Sequence, residues 1–404
     1  LNNSGDTHDA IVIGASLAGC TTAILLARAG ASVLLVDQRP GIDAYKVVCG
    51  HYIQASAIST IERLGLLEPM LAAGAVRSPI RIWFDGTVIG PLDTDVIEPS
   101  INLPRRKLDP MLRGIASRTE GVELRMGTSL VAIEELEHNR VSVTLSAPDG
   151  ESTRANGRLI VGADGRDSKV AELASVRAVR SKNGRFNYSP FYAGPPPEAA
   201  PAATSWFMGD QWAGAFPTSD GLTGYYLMPT HDRLPEYKQD LEGACLRFIS
   251  ELPGAPPVEA LSLAGPIVGR IDLANQWRNP IGSGMALVGD AALSIDPLYG
   301  VGCGWAMQTG ELLADAVAPM LKSGNSLEKG LRGYRRAVAS KLIPHTLQMS
   351  GYSRGRAPNP FDRFAMRRAA RNDDVAEYLI GYVARKVSPF ELMSPIGVAT
   401  LLRA

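Results

Sequence analysis

Three glycine-rich turns, each directly after a short apolar run, punctuate nearly the whole chain. They are Gly14-Ala15-Ser16-Leu17-Ala18-Gly19, Gly162-Ala163-Asp164-Gly165, and Gly289-Asp290, which continues into Pro297, Gly300 and Gly302. Each marks a point where a buried strand gives way to a turn. One such turn constrains little. Three in this order point to a single long cofactor, with its phosphates at one turn and its other parts at the next two.

The first turn has the fullest context. His8-Asp9-Ala10-Ile11-Val12-Ile13 reads as a buried parallel strand, because its apolar run is unbroken and β-branched. Residues 20–29 read as a helix, Gly30 ends it, and 32–36 is the next strand. In this βαβ unit Gly14 makes the tight turn and Gly19 lets the helix pack close to the strand. The helix N-terminus offers N–H groups and a positive dipole end to a pyrophosphate. Asp37, closing the second strand, is placed to accept hydrogen bonds from ribose hydroxyls. Ser16 stands where a dinucleotide fingerprint has its second glycine, and its side chain is small enough to admit a diphosphate. A nucleophile elbow is not indicated, because Ala18 occupies the position that needs glycine. Leu17-Ala18-Gly19-Cys20 has the form of a lipoprotein cleavage site but lacks a basic region before it.

The 404 residues are 45% hydrophobic, enough for a large core and about two or three domains. With 41 basic and 41 acidic residues, the balance argues against a nucleic-acid surface or a strongly anionic macromolecular partner. No run approaches the roughly 18 apolar residues of a membrane span. Cys20, Cys49, Cys245 and Cys303 are far apart in sequence, without CxxC or metal-ligand spacing, so they read as free thiols in a reducing cytoplasm, and no metal site is expected.

Periodicity predicts a helix over 56–73, strands at 79–84 and 86–90, and a helix from Arg105 to about Arg118. Alternation over 122–145 suits a hairpin or meander, and 157–161 is a strand feeding the second turn. From about 181 the composition shifts. A Pro-rich loop is followed by antiparallel strands at 203–208, 212–216 and 222–228, then a helix over 237–252. A strand returns at 267–271, 285–288 re-enters the first core, a helix follows over about 303–321, and 326–353 and 358–386 are mostly helical. The expected fold is α/β. A Rossmann-like cofactor domain is built from discontinuous segments (8–78, 100–180 and 265–345), an antiparallel β-sheet substrate domain is inserted (79–99 and 181–264), and the C-terminus is helical (346–404).

At the second turn, Asp164 can bind a hydroxyl while Gly165 brings backbone close. At the third, Asp290 sits at a strand end, and Gly300 to Gly304 lead into a helix whose N–H groups can stabilise negative charge. The set resembles the FAD-dependent monooxygenases of the para-hydroxybenzoate hydroxylase fold, the single-component aromatic hydroxylases, over roughly residues 8 to 345. The resemblance implies an FAD site. Gly14, Ser16, Leu17, Ala18 and Gly19 would hold the diphosphate, and Asp37, with Gln38 and Arg39, the adenosine ribose. Lys46 and Arg105, the latter in an Arg-x-x-Leu pattern with Leu108, would add positive charge. Asp164 and Gly165 match the motif shared by FAD and NAD(P)H contacts. Gly289 and Asp290 match the ribityl motif, with Pro297, Gly300, Val301 and Gly302 near the isoalloxazine.

In such enzymes reduced flavin and O2 give a C4a-hydroperoxide that hydroxylates or epoxidises an aromatic or polycyclic small molecule. The flavin carries the chemistry, so few catalytic side chains are needed. His51, Tyr52 and Gln54 are the candidates to face it, and Trp206, Phe207, Trp212, Phe216, Tyr225 and Tyr226 to wall the substrate. With no second complete GxGxxG turn, NAD(P)H would dock transiently. Cys49-Gly50 and Phe216-Pro217 resemble a branch that reduces isolated C=C bonds, the geranylgeranyl reductases, which is the alternative reading. An FADH2-dependent halogenase is a further one, although the Trp-x-Trp-x-Ile-Pro signature is absent.

Overall fold

The computed structural model describes residues 6–90, 97–354 and 358–402. Its organising element is a six-stranded sheet in the order Ile281–Gly282, Met285–Leu287, Leu159–Gly162, Ala10–Ile13, Val33–Asp37, Val122–Met126. All pairs are parallel except the first. The register sets Ile11 beside both Leu34 and Ile160, and Val161 beside Ala286. Residues 10–12, 33–36 and 285–287 are buried on both faces, which is why these strands read as continuous apolar runs.

The helix Leu17–Arg28 packs on this sheet and against the long helix Val301–Ser323. The strand ends that carry the three glycine turns belong to neighbouring strands, so the turns emerge along one edge. Two hydrogen bonds fix their spacing: Ala163 N–H donates to Ile13 O at 2.8 Å, and Val288 N–H to Gly162 O at 2.9 Å.

Several expectations need correction. Residues 122–126 do not open a meander. They are the outer parallel strand, reached after the helix Arg105–Arg118 by a parallel crossover, and Val122–Met126 lies beside Val33–Asp37. The hairpin is Ser129–Glu137 with Arg140–Ser146, extended by Ser152–Gly157 and by Asp6–Thr7. The helix expected over 56–73 is two helices, Ile58–Leu64 and Leu67–Ala72, because Gly65 takes a left-handed conformation between them. The helix expected over 237–252 likewise divides at Asp240, whose carboxylate accepts from Gly243 N–H and caps Leu241–Ser250. Residues 268–270, grouped by sequence with the cofactor domain, pair instead with Asn187–Ser189 of the inserted sheet.

The inserted layer is a nine-stranded sheet containing the antiparallel meander Ala203–Met208, Gln211–Pro217, Thr223–Met228. Ile80–Phe84 joins it parallel to Ala203–Met208. Parts of the sequence-based divisions, at 91–96, 355–357 and 403–404, lie outside the described residues. Helices Glu328–Lys341, Ile343–Tyr352, Pro360–Ala369 and Asp373–Val383 follow, with two short helices to Leu402. No helix among the described residues is long and apolar enough to cross a membrane.

Candidate active site

A cleft of about 630 Å³ lies where the parallel strand ends meet the inserted sheet. Ser16, Leu17 and Ala18 line it from the first turn, Asp164 and Gly165 from the second, and Gly289, Asp290, Pro297, Gly300, Val301 and Gly302 from the third. Gln38, Arg39, Lys46 and Arg105 also line it. Gly14 and Gly19 sit behind the first turn. Gly14 has φ +104°, and a Cβ there would lie 2.5 Å from Ala163 O, so glycine alone allows the first and second turns to touch.

The charges are fixed in pairs. Asp37 is buried, and its carboxylate accepts from Ala15 N–H at 2.8 Å and from Arg39 Nε and Nη2 at 2.9 and 2.7 Å. Burial pushes its pKa up, but the hydrogen bonds from Arg39 and the Arg39 charge outweigh this and hold it below the usual carboxylate range. Gln38 and Arg39, rather than Asp37, present to the cleft. Arg105 is buried and bonded to Asp109 Oδ1 at 2.6 Å, and its Nη2 donates to Ser16 Oγ at 2.7 Å. The serine that replaces the expected glycine therefore holds a guanidinium over the first turn. Lys46 Nζ lies 2.7 Å from Asp290 Oδ2 and ties the first segment to the third turn.

Asp164 is the acid of the second turn. Its Oδ2 accepts from Val170 N–H at 3.0 Å, while its Oδ1 is buried with no protein partner. Burial raises its pKa. A buried acceptor without a protein partner at this turn fits a ligand donor. Space is present: a Cβ built at Gly165 or Gly302 would meet nothing within 4 Å. The cationic Arg105, the small residues of the first turn and the orphaned Asp164 oxygen together fit a long diphosphate cofactor bearing hydroxyls.

One wall is aromatic. Tyr52, Trp212, Phe216 and Tyr226 line it, with Tyr52 and Phe216 ring centroids 4.7 Å apart and Trp212 and Tyr226 centroids 6.1 Å apart. Gly214 lies between Trp212 and Phe216 on the same face, and a Cβ there would fall 2.5 Å from the Phe216 ring. His51 is also at the cleft, with φ +62°, and its Nδ1 accepts from Arg105 N–H at 2.9 Å.

Further expected site residues are placed elsewhere. Trp206 and Tyr225 point to the other face of the sheet, into a separate core with Phe248 and Ile249 beneath the helix Leu241–Ser250, where Trp206 Nε1 donates to Pro253 O at 2.9 Å. The strand alternation gives the reason, since 212, 216 and 226 share one face while 206, 213, 215 and 225 share the other. Gln54 is buried away from the cleft, donating to Tyr299 O at 2.8 Å and Val383 O at 3.0 Å.

Other cleft residues were not anticipated: Gly269 and Arg270 from the inserted layer, Leu293 to Ile295, and Trp305. Trp305 lies one helical turn after Gly302 and was readable from that spacing, whereas nothing local marks Gly269. Asp296 was also missed. It is fully buried, accepts from Arg185 Nη2 at 2.9 Å and Asn183 Nδ2 at 2.8 Å, and so fixes the Pro297 turn to the inserted layer.

A dinucleotide cleft at the C-terminal ends of a parallel sheet, closed by a second sheet, defines a flavoprotein oxidoreductase of the monooxygenase fold. Residues 7–242 match the FAD binding domain family, and the chain belongs to it. It is 28% identical over 394 residues to aklavinone 12-hydroxylase RdmE of Streptomyces purpurascens, covering 87% of this chain and 69% of that one. It is 26% identical over 357 residues to the digeranylgeranylglycerophospholipid reductase of Methanothrix thermoacetophila, covering 83% and 85%. In fold it is similar to p-nitrophenol 4-monooxygenase PnpA from Pseudomonas putida, with TM-score 0.77, 18% identity, and 94% and 98% of the two chains covered.

Proposed function

We propose that the chain is an FAD-dependent monooxygenase that uses NAD(P)H and O2 to hydroxylate or epoxidise a polycyclic aromatic small molecule. The observation that carries this reading is the meeting of three glycine turns and an aromatic wall on one cleft. In this reading the six-stranded sheet with its helices is the cofactor domain, and the nine-stranded sheet is the substrate domain. Ser16, the first turn and Arg105 bind the diphosphate, Gln38 and Arg39 the adenosine end, and Asp164 and Asp290 the hydroxyl-bearing chain. The Pro297 to Gly302 turn would hold the isoalloxazine, where the Val301 and Gly302 N–H groups at the helix N-terminus would stabilise negative charge. The chemistry FAD supplies when bound is activation of O2 by its reduced ring.

The remaining work falls to the chain itself. Trp212, Phe216, Tyr226 and Tyr52 bind a flat apolar substrate and exclude water. Burial pushes the Tyr52 phenol up to about 12, so it stays protonated as part of that wall. His51 is a positioning residue, since its Nδ1 holds the start of the helix that carries Arg105.

The test is oxygen uptake by the purified yellow protein with NADH or NADPH and a panel of polycyclic phenols that includes aklavinone, the compound named for the Streptomyces relative. Substrate-dependent O2 consumption with an oxygenated product is expected. Failure to bind FAD would overturn the reading. A second reading, reduction of an isolated C=C bond, is favoured by Cys49 at the cleft and by the likeness to the Methanothrix reductase. Product formed without O2 would establish that one instead.

A further inference from the structure

Cys49 and Cys303 are 254 residues apart in sequence, yet their Sγ atoms lie 3.4 Å apart in the wall of the cleft. Cys49 sits in the segment between Lys46 and His51, and Cys303 in the first turn of Val301–Ser323. Arg105 Nη1 is 3.7 Å from one sulfur and 3.8 Å from the other, and His51 N–H points at Cys49 Sγ from 3.3 Å. Either sulfur can donate to the other. The Cys303 S–H, His51 and Arg105 hold the Cys49 thiol well below its usual range, while the same hydrogen bond and burial drive Cys303 up. The other two cysteines differ in kind: Cys20 and Cys245 are buried, and burial pushes each up to about 12.

A disulfide has an S–S distance of about 2.05 Å, so roughly 1.4 Å of approach would close this one. The Lys46 to His51 segment is held by side-chain contacts rather than by a ladder, since residues 41–51 form no strand or helix. That leaves it able to make so small a movement.

We propose that Cys49 and Cys303 are a redox-active dithiol in the cofactor cleft, oxidised by hydrogen peroxide to a disulfide that ties the Lys46–His51 segment to the helix Val301–Ser323. The Cys49 thiolate attacks one peroxide oxygen and the O–O bond breaks. Cys49 becomes a sulfenic acid, and the second oxygen leaves as hydroxide and takes up the proton Cys49 released. The Cys303 sulfur then attacks the Cys49 sulfur. The S–S bond forms, the S–O bond breaks, and hydroxide leaves with the Cys303 proton as water. Two thiols lose two electrons and two protons, and one peroxide becomes two waters. The bond removes the anionic sulfur that faces Arg105 and pins two walls of the cleft together.

The test is a peptide map of the FAD-bound protein after stoichiometric hydrogen peroxide and alkylation. A Cys49–Cys303 cross-linked peptide that disappears on adding dithiothreitol is the expected result, with Cys20 and Cys245 still thiols. In Cys303→Ser, Cys49 should accumulate as a sulfenic acid trapped by dimedone. Wild-type protein in which both residues stay alkylatable overturns the proposal, as does one in which Cys49 reaches the sulfinic acid while Cys303 remains a thiol. The wild-type map decides without any variant, and it reads the same for a hydroxylase or a reductase.

Discussion

Single residues in this cleft hold one another before any ligand arrives. Asp290 shows the consequence, because among the described residues its carboxylate is bound by Lys46 and it remains partly open to the cleft. Asp290→Ala removes the acceptor and frees the Lys46 ammonium. FAD affinity, measured by fluorescence titration, should weaken by about 1–3 kcal/mol, and unchanged affinity would remove this turn from the cofactor site. A second residue reports on packing. His345 is buried beside Arg385, whose Nη1 lies 2.7 Å from its Nδ1. Burial, then the Arg385 charge, lowers its pKa from 6.5 to about 3. The unfolded chain binds this proton below pH 6.5 and the folded chain does not, so the residue's stabilisation is complete above 6.5 and is lost as pH falls toward 3. Between pH 7 and pH 5, urea denaturation of wild type should show up to about 2 kcal/mol more loss than His345→Gln. Equal losses would show that the imidazole is solvated.

At the scale of elements, the parallel strands and their turns were legible because an unbroken apolar run followed by glycine has few other meanings. The inserted sheet was legible as strands but not as faces. Its aromatics fall on both sides, and nothing within Ala203–Met208 states which parity meets the cleft, so Trp206 and Tyr225 were as plausible as Trp212 and Tyr226. The strand Val122–Met126 was misplaced for a related reason: its half-buried pattern is that of an edge, and edges of parallel and antiparallel sheets look alike locally. The two faces can be separated by experiment. Trp206→Ala opens a cavity in the second core and should lower stability by about 3–5 kcal/mol, read by denaturation. Trp212→Ala should raise KM for substrate with FAD affinity retained. A Trp206 variant that shifted KM without destabilising would reverse the assignment of faces.

Across the whole molecule, the cleft depends on chain that never touches it. Tyr299 has φ +63°, and Gly300 follows it at +68°, where a Cβ would lie 2.4 Å from the Tyr52 ring. Such a turn persists only when its surroundings over-determine it. Gln54 bonds Tyr299 O and Val383 O at once, and the Arg385 guanidinium lies 4.6 Å from the Tyr299 ring centroid. The C-terminal helices are therefore a brace for the third turn, a role that no local pattern in residues 373–386 announces, because it exists only after the chain has returned. Arg385→Ala should remove the cation over the ring and loosen the turn, with stability lower by about 1–3 kcal/mol. If the brace acts through Tyr299 and Gly300, FAD affinity falls with it although Arg385 does not line the cleft. Thermal melts with and without added FAD separate the effects. A variant whose melting temperature drops equally in both states has lost packing alone, whereas a smaller FAD-induced rise than in wild type places the C-terminal helices in the energetics of cofactor binding.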